Sequence, residues 1–305
     1  MYNVEVNMPQ KPEITQFFKE LQDSICYDLE NADGLATFKE DIWQRPEGGG
    51  GRTRVIENGH ILEKGGVAFS AVHGPLHEKM LLSMGISEEV DFYATGVSIV
   101  IHPHNPFVPI IHMNVRYFEM GNGDFWFGGG IDLTPHYVDN QDAAWFHAQL
   151  KEACDQHFAD YYPKFKTWAD DYFFNTHRNE TRGIGGIFFD YLKPNKTQSK
   201  EEIFQFVKAI GRSFAPIYTK LMLKNTHIPF EQTHKDWQNI RRGRYVEFNL
   251  VHDRGTKFGL ETNGRVESIL MSMPPIANWK YNYNPDPNSE EGKTQKLLVK
   301  GINWV

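Results

Sequence analysis

The sequence contains only two cysteines, Cys26 and Cys154, among its 305 residues. Two thiols cannot form a four-cysteine metal site, and so few are typical of a reducing compartment. The chain also lacks an apolar run of about 20 residues, the length that a membrane-spanning helix requires. Its first residues show neither the basic and apolar segments of a signal peptide nor the arginine-rich bias of a transit peptide. We therefore expect a cytoplasmic protein without a transmembrane segment.

An excess of positive charge is also missing. The formal net charge is −7, so a broad electrostatic attraction to nucleic acid is not expected. The glycine-rich segments fit neither the phosphate-loop pattern G-x-x-x-x-G-K-[ST] nor the dinucleotide pattern G-x-G-x-x-G, and no H-E-x-x-H motif occurs. The sequence therefore predicts neither a nucleotide site nor a strongly specified zinc site.

Aromatic residues and clustered arginines are what the chain has in plenty. Aromatics make up 14% of the residues, which fits either a large aromatic core or a broad pocket for a flat, largely apolar ligand. The clustered arginines are Arg52, Arg54, Arg116, Arg178, Arg182, Arg241, Arg242, Arg244, Arg254 and Arg265, and several of them stand beside glycines and inside apolar runs. Each alone is typical of a solvated surface. As a group in an acidic protein they favour a site for a small polyanion, because the guanidinium fork suits carboxylates.

Two strand-like runs between residues 96 and 117 carry polar side chains on one face. His112, Asn114 and Arg116 alternate with apolar residues, and Ser98 and His102 alternate in the same way in the preceding run. Side chains alternate across a strand, so the apolar face can pack inward while the polar groups converge on the other face. Two such neighbouring strands predict a pocket with a polar floor on a sheet.

The order of predicted elements indicates an α+β fold. A helix over residues 11–31 ends at Gly34, strand-like runs dominate to about residue 135, and Asn58-Gly59 marks a hairpin turn. Further elements are predicted as helices over about 141–176, 199–223 and 229–241 and as a last set of strands over 243–271. Because strands lie at both ends without a regular βαβ alternation, we expect a single large, mainly antiparallel sheet flanked by helices on both faces.

Four of the histidines are candidates for a polar site. His102 and His112 lie on the polar strand faces, His147 falls in a predicted helix, and His177 follows one. Their spacing specifies no metal site, and only the tertiary fold could bring them together. These residues therefore leave metal binding open.

Two aspartates are candidates as functional carboxylates. Asp132 follows three glycines at a predicted strand end, where it is either functional or the N-cap of the turn at residues 133–135. Asp253 is in the same way either functional or a turn former. The local sequence favours neither interpretation.

Five long segments closely resemble the oxygen-dependent coproporphyrinogen III oxidase family. They are DIWQRPEGGGGRTRV at 41–55, IHPHNPFVPIIHMNVRYFE at 101–119, WFGGGIDLTPHY at 126–137, HRNETRGIGGIFFDYL at 177–192 and RRGRYVEFNLVHDRGTKFGLETNGRVESILMSMPP at 241–275. Because they span nearly the whole chain in the expected order, the sequence is identified as a member of that family, with one domain over residues 1–305.

The resemblance implies a reaction and its partners. Two propionate side chains of coproporphyrinogen III would be oxidatively decarboxylated to vinyl groups, giving protoporphyrinogen IX in haem biosynthesis. Molecular oxygen would be the oxidant, no organic cofactor is implied, and the need for a divalent metal is left open. The family forms homodimers, and residues 245–280 match the segment assigned to the dimer contact.

The resemblance also assigns roles to single positions. The implied substrate contacts are Ser98, Asn114, Val115, Arg116, Asn263, Gly264 and Arg265. The implied divalent-metal ligands are His102, His112, His147 and His177, and His112 also matches the proposed proton donor. Arg116, Asp132 and Asp253 match residues implicated in binding or catalysis. Asn263 departs from the glycine that bacterial relatives often carry, and a backbone contact there predicts little effect.

These roles lead to a hypothesis for the mechanism. Asp132 would pair with pyrrole N–H groups and stabilise charge that develops on nitrogen, Arg116 and Arg265 would anchor propionates, and His112 would handle a proton. Two rival functions are a tetrapyrrole carrier without chemistry and a metal-dependent oxygenase with two histidines and one carboxylate. Turnover in air would exclude the first, and sensitivity to a chelator would favour the second.

Overall fold

A seven-stranded antiparallel sheet forms the centre of the computed structural model, which describes residues 8–77, 81, 88–261 and 264–305. The strand order is β1-β2-β3-β4-β5-β6-β9. The strands are β1 (Lys39–Gln44), β2 (Gly49–Glu57), β3 (Leu62–Pro75), β4 (Asp91–Pro103), β5 (Ile110–Met120), β6 (Phe125–Thr134) and β9 (Gly185–Leu192). A separate small hairpin pairs β7 (Phe174–Asn175) with β8 (Glu180–Thr181).

Helices precede and follow the strands. They are α1 (Lys11–Asp33), α2 (Asn140–Asp155), α3 (Tyr161–Tyr172), α4 (Lys200–Asn225), α5 (Gln232–Glu247), a π-helix (Phe248–His252), α6 (Arg254–Glu261), α7 (Val266–Leu270) and α8 (Glu290–Lys296). Within the described residues, no helix combines the length and apolar character needed to cross a membrane.

Local sequence explains where several elements begin and end. α1 stops at Gly34, whose left-handed backbone (φ 74°) lets its N–H bond to the carbonyl of Glu30. The β2–β3 hairpin turns at Asn58, also in the left-handed region (φ 57°). A reciprocal capping box between Ser199 and Glu202 starts α4. The predicted first helix and the predicted hairpin are confirmed.

Helices cover both faces of the sheet. On the first face, α1 packs on β3 and β4, and α4 packs on β5 and β6, around core residues such as Met113 and Phe127. On the second face, α5 packs Tyr245 against β4 and β5, and Met271, just after α7, lies against Gly66 of β3. The predicted α+β class, with a large antiparallel sheet flanked on both faces, is confirmed. A single domain over residues 1–305 stays a prediction.

The predicted last set of strands, over residues 243–271, is wrong. This stretch forms the end of α5, the π-helix, α6 and α7. Its apolar residues alternate over a short run, but burial follows a helical period, because Arg241, Arg242, Tyr245, Phe248 and Asn249 are buried. The seventh strand of the sheet is instead β9, with the sequence GGIFFDYL, which pairs with β6.

Candidate active site

The second face of the sheet is polar and partly open along β4 and β5. Side chains of β5 alternate between buried and partly exposed, and the partly exposed set includes His112, Asn114 and Arg116. Ser98 of β4, also partly exposed, stands in register with Asn114. The predicted shared polar face of two neighbouring strands is confirmed, and the pocket above it stays a prediction.

Small residues surround these polar groups on the same face. Gly96 of β4 and Gly128 of β6 stand on either side of Arg116 in register, and Gly130 stands beside Asn114. A Cβ atom added at Gly128 would lie 2.9 Å from Nε of Arg116, so the guanidinium lies directly over this glycine. Gly128 therefore makes room on this face for the Arg116 side chain.

Asp132 lies at one end of this face in a buried hydrogen-bonded cluster. One of its oxygens bonds to Nδ1 of His112 at 2.8 Å, across the β5–β6 register. Arg182 donates to both oxygens, from Nη2 at 2.7 and 2.9 Å and from Nε at 3.2 Å. The side chains of Asp132 and Arg182 are 1% and 2% exposed, whereas His112 is 20% exposed. The carboxylate therefore reaches the open face through the imidazole.

Three aromatic rings and an amide enclose Arg182. Its guanidinium carbon lies 4.5 Å from the ring centre of Phe173, 4.8 Å from that of Tyr245 and 4.6 Å from that of Phe248. Its Nη1 donates to the side-chain oxygen of Asn249 at 2.8 Å. Phe248 and Asn249 belong to the π-helix, a rare conformation that is frequent at functional sites. Cation–π contacts and the amide stabilise the buried charge.

Sequence reasoning named Arg182 only as one of ten clustered arginines and did not name Asn249. The local signal for Arg182 is its place before the glycines of RGIGG, at the start of an apolar run. Asn249 had no signal, because a strand was predicted where the π-helix lies. Arg182 joins the site through its contact with Asp132, and Asn249 joins it through its contact with Arg182.

The surroundings of Asp132 keep it ionised. Burial alone would raise the pKa of Asp132, but the charge of Arg182 and the hydrogen bond from His112 outweigh burial and hold that pKa below its usual value. An ionised carboxylate only accepts hydrogen bonds, so Nδ1 of His112 must be the donor. In the neutral ring, Nε2 then carries the lone pair.

The Arg116 guanidinium has two side-chain partners and stays partly exposed. Its Nη1 donates to the side-chain oxygen of Asn114 at 2.9 Å, and its Nη2 forms an ion pair with Asp190 at 2.9 Å. The Arg116 side chain is still 36% exposed. Val115, between these two strand residues, points into the core and is fully buried, so only its backbone could contact a ligand on the second face.

Arg265 lies on the same face near the opposite margin of the sheet. It forms an ion pair with Asp41 of β1, and its Nη1 is buried without a hydrogen-bond partner among the described residues. With neighbouring strands about 4.8 Å apart, the four intervals from β1 to β5 place Arg265 and Arg116 over strands about 19 Å apart. Gly264 closes the end of α6 through its N–H, and Asn263 lies outside the described residues.

Asp253 ends the π-helix and starts α6. Its Oδ2 accepts from the backbone N–H of Thr256 at 2.7 Å, and its Oδ1 accepts from the hydroxyl of Tyr172 at 3.0 Å. These contacts match the turn-forming interpretation of Asp253. A role in catalysis stays a prediction.

His147 has both ring nitrogens engaged by protein groups. Nδ1 lies 2.9 Å from the hydroxyl of Tyr162, and Nε2 lies 3.0 Å from the carbonyl oxygen of Ile184. Burial lowers the pKa of His147 to about 4, so the ring is neutral. A ring in this position is not available as a metal ligand without losing one of these bonds.

The other two implied metal ligands have separate partners. His102 is buried, and its Nε2 bonds to the carbonyl oxygen of Ser272 at 2.9 Å. His177 bonds to His252 and to Glu247, both at 2.8 Å. Over the described ranges, no group of three or more His, Cys, Asp and Glu side chains is arranged to hold a metal ion. The implied four-histidine set does not fit a metal in this arrangement.

The fold and site together define a class of protein. An α+β scaffold presents arginines about a small-residue floor, with a carboxylate–histidine pair at one end, which suits a bulky polyanion that undergoes proton transfer. The family model for coproporphyrinogen III oxidase matches residues 13–304, and the chain belongs to this family.

Individual relatives agree with the family. The chain is 51% identical over 299 residues to the human mitochondrial oxygen-dependent coproporphyrinogen-III oxidase, covering 94% of this chain and 65% of the human protein. It is 49% identical to the mouse mitochondrial enzyme, covering 97% and 69%. It is 47% identical to the enzyme of Prochlorococcus marinus (strain NATL1A), covering 93% and 88%. The chain thus spans about two thirds of the mammalian relatives and most of the bacterial one.

Proposed function

We propose that this protein is an oxygen-dependent coproporphyrinogen III oxidase. It converts two propionate groups of coproporphyrinogen III to vinyl groups, giving protoporphyrinogen IX. The observation that carries the proposal is that Arg116, Arg265 and the His112–Asp132 pair lie on one partly open sheet face. Membership of the family and similarity to enzymes of that name support it.

The second face suits a bulky tetracarboxylate. The Arg116 and Arg265 side chains, which are 36% and 28% exposed, offer guanidinium donors over strands about 19 Å apart, so carboxylates on opposite edges of one ligand can be bound together. Gly96 and Ser98 of β4, which lies between these strands, are small residues on this face. The ring system would lie over this floor, with its propionates at the two margins.

The stoichiometry limits what the protein must do. Each propionic acid side chain and one O2 become a vinyl group, CO2 and H2O2, so the ring side chain loses two electrons and oxygen gains them. The electron-rich pyrrole can pass these two electrons from its side chain to oxygen, and we propose no organic cofactor. The protein then has to orient the propionate, move protons and exclude side reactions.

His112 is the group we assign to proton transfer. Its Nδ1–H bonds to Asp132, so the lone pair of the neutral ring is on Nε2, and the side chain is 20% exposed. It can accept the proton released as the β-hydrogen is lost and return it as oxygen is reduced. Asp132 holds the tautomer and stabilises the imidazolium that forms. We prefer this role to direct binding of pyrrole N–H groups by Asp132, because both oxygens are already bonded and buried.

We further propose that the protein is a cytoplasmic homodimer joined through residues 245–280. Exposed apolar side chains in this segment support the contact, since contiguous apolar surface marks interfaces. They are Leu250, Val251, Phe258, Leu260, Val266, Ile276 and Trp279. Sedimentation of the protein over a range of concentrations, with Ile276→Glu and Trp279→Ala, tests the contact. A monomeric wild type would contradict it.

The activity is tested by incubating the protein with coproporphyrinogen III in air and under nitrogen. Formation of the divinyl product in air, absent under nitrogen, is expected. His112→Gln should lower kcat by about 10²–10⁴, the usual range for a lost general acid–base group, while coproporphyrin III still binds. The exposed His227→Gln is the matched control and should keep wild-type turnover. Tight binding without product would point to a carrier protein and contradict the proposal.

A further inference from the structure

Strand β9 contains a β-bulge beside the proposed substrate site. The register of β9 against β6 shifts between Phe127 and Gly129, and two residues, Asp190 and Tyr191, stand opposite Gly128 there. A bulge disrupts the ladder locally and is over-represented next to active sites, where it redirects a side chain. The side chains that this bulge can redirect are those of Asp190 and Tyr191.

The bulge places two consecutive side chains on the second face. Asp190 pairs with Arg116, and Tyr191 stacks on Trp126, with ring centres 4.9 Å apart. The flanking residues Phe189 and Leu192 both belong to the core on the first face. In an unbulged strand, alternation would place one of the two bulge residues in the core.

The backbone holds this arrangement at a cost in strain. Tyr191 has φ 48°, in the left-handed region that residues with a side chain seldom adopt. Its N–H donates to Oδ1 of Asp190 at 3.0 Å, which leaves Oδ2 for Arg116 at 2.9 Å. Strain of this kind persists where the surrounding structure fixes it, and it concentrates at functional sites.

Gly128, Asn114 and Asp190 together fix the position of the Arg116 guanidinium. Gly128 supplies the space above β6, because a Cβ there would lie 2.6 Å from Oδ1 of Asp190 and 2.9 Å from Nε of Arg116. Asn114 holds the guanidinium from one side at 2.9 Å, and Asp190 holds it from the other. The Arg116 side chain is still 36% exposed with both contacts in place.

We propose that Asp190 is a positioning residue for Arg116 in substrate binding. The inference rests on the proposed function, in which Arg116 binds a propionate. An arginine side chain loses considerable rotamer freedom when it is immobilised, and fixing it during folding removes that cost from the binding step. Asp190 itself does not contact the substrate. Its effect passes through the Arg116 guanidinium.

A double-mutant cycle tests the proposal. Asp190→Asn removes the charge but keeps an oxygen for the Tyr191 N–H, so the bulge is preserved. We expect it to raise KM for coproporphyrinogen III about tenfold, with a smaller change in kcat. Arg116→Ala should raise KM at least as much, and Asp190→Asn should have no further effect in the Arg116→Ala background, since residues in one network are non-additive.

Two outcomes would overturn the inference. One is a wild-type KM for Asp190→Asn. The other is a double variant whose increase in KM equals the product of the increases in the two single variants. Asp171→Asn, which removes an exposed partner of Lys300, is the matched control and should leave KM unchanged. The same cycle measured as the Kd of coproporphyrin III, by fluorescence, needs no turnover. A failure of the proposed activity is therefore distinguishable from a failure of the Asp190 assignment.

Discussion

Arg182 contacts both carboxylate oxygens of Asp132, and the two side chains are almost completely buried. Neither charge could remain there alone, because an isolated buried ion is far more costly than a paired one. The pair has a further consequence for the site. It keeps Asp132 ionised beside His112, and so determines which imidazole nitrogen carries the hydrogen in the neutral ring.

Removing one member of this pair should destabilise the protein. We expect Arg182→Met to lower the free energy of unfolding by about 3–5 kcal/mol, because it leaves an unpaired buried carboxylate. Adding Asp132→Asn should restore part of that loss. Urea unfolding measures both. Lys151→Met, which breaks an exposed pair with Asp155, is the control and should cost less than about 1 kcal/mol. Equal losses of unfolding free energy for Arg182→Met and Lys151→Met would contradict a larger contribution from the buried pair.

Two adjacent glycines of β6 should respond differently to alanine. At Gly128 an added Cβ would meet the ends of the Arg116 and Asp190 side chains, which can move, so we expect folded protein with a raised KM. At Gly129 it would lie 2.7 Å from the carbonyl oxygen of Asn114, in the sheet backbone, so we expect a lower Tm. Thermal unfolding and steady-state kinetics of both variants check this. A Tm loss confined to Gly128→Ala would be inconsistent with the two faces described.

Glu247 should contribute to stability in acid. Burial would raise its pKa, but hydrogen bonds from Arg178 and His177 outweigh burial and lower that pKa from 4.5 to about 2. A carboxylate with a depressed folded pKa stabilises the protein above its unfolded pKa, and that contribution disappears as pH falls through the folded value. Between pH 4.5 and about 2, wild type should therefore lose stability more steeply than Glu247→Gln. Urea unfolding across this range measures how the unfolding free energy of each protein depends on pH. Parallel pH dependences of wild type and Glu247→Gln would refute the stabilising role of Glu247.

His147 should be important for stability whether or not metal is present. Its nitrogens bond to Tyr162 and Ile184, so His147→Leu should lower Tm equally with and without EDTA, and EDTA should leave wild-type turnover unchanged. His227→Leu, an exposed position, serves as the control. Loss of turnover in EDTA that a divalent ion restores would show that the histidines rearrange to bind metal.

Local patterns determined much of the scaffold and part of the site. The alternation of His112, Asn114 and Arg116 with apolar residues predicted their shared face, because a strand has a two-residue period. Helix α1 and the turn at Asn58 were likewise predictable from the sequence, since capping and turn chemistry depend on a few adjacent residues. Motif resemblance added the family and the residues that its members share.

Only the tertiary structure decided which groups act together. Arg182 lies 50 residues beyond Asp132 and reaches it because β9, the strand that it precedes, pairs with β6. The bulge that redirects Asp190 depends on that same pairing, and no local pattern encodes a register between distant strands. The run after residue 243 alternates like a strand yet is helical, because packing of α5 and the π-helix over the sheet outweighs a short apolar pattern. The sequence by itself determined the faces of the strands. Their neighbours, and therefore the charge partners in the site, were decided by long-range contacts between segments far apart in the chain.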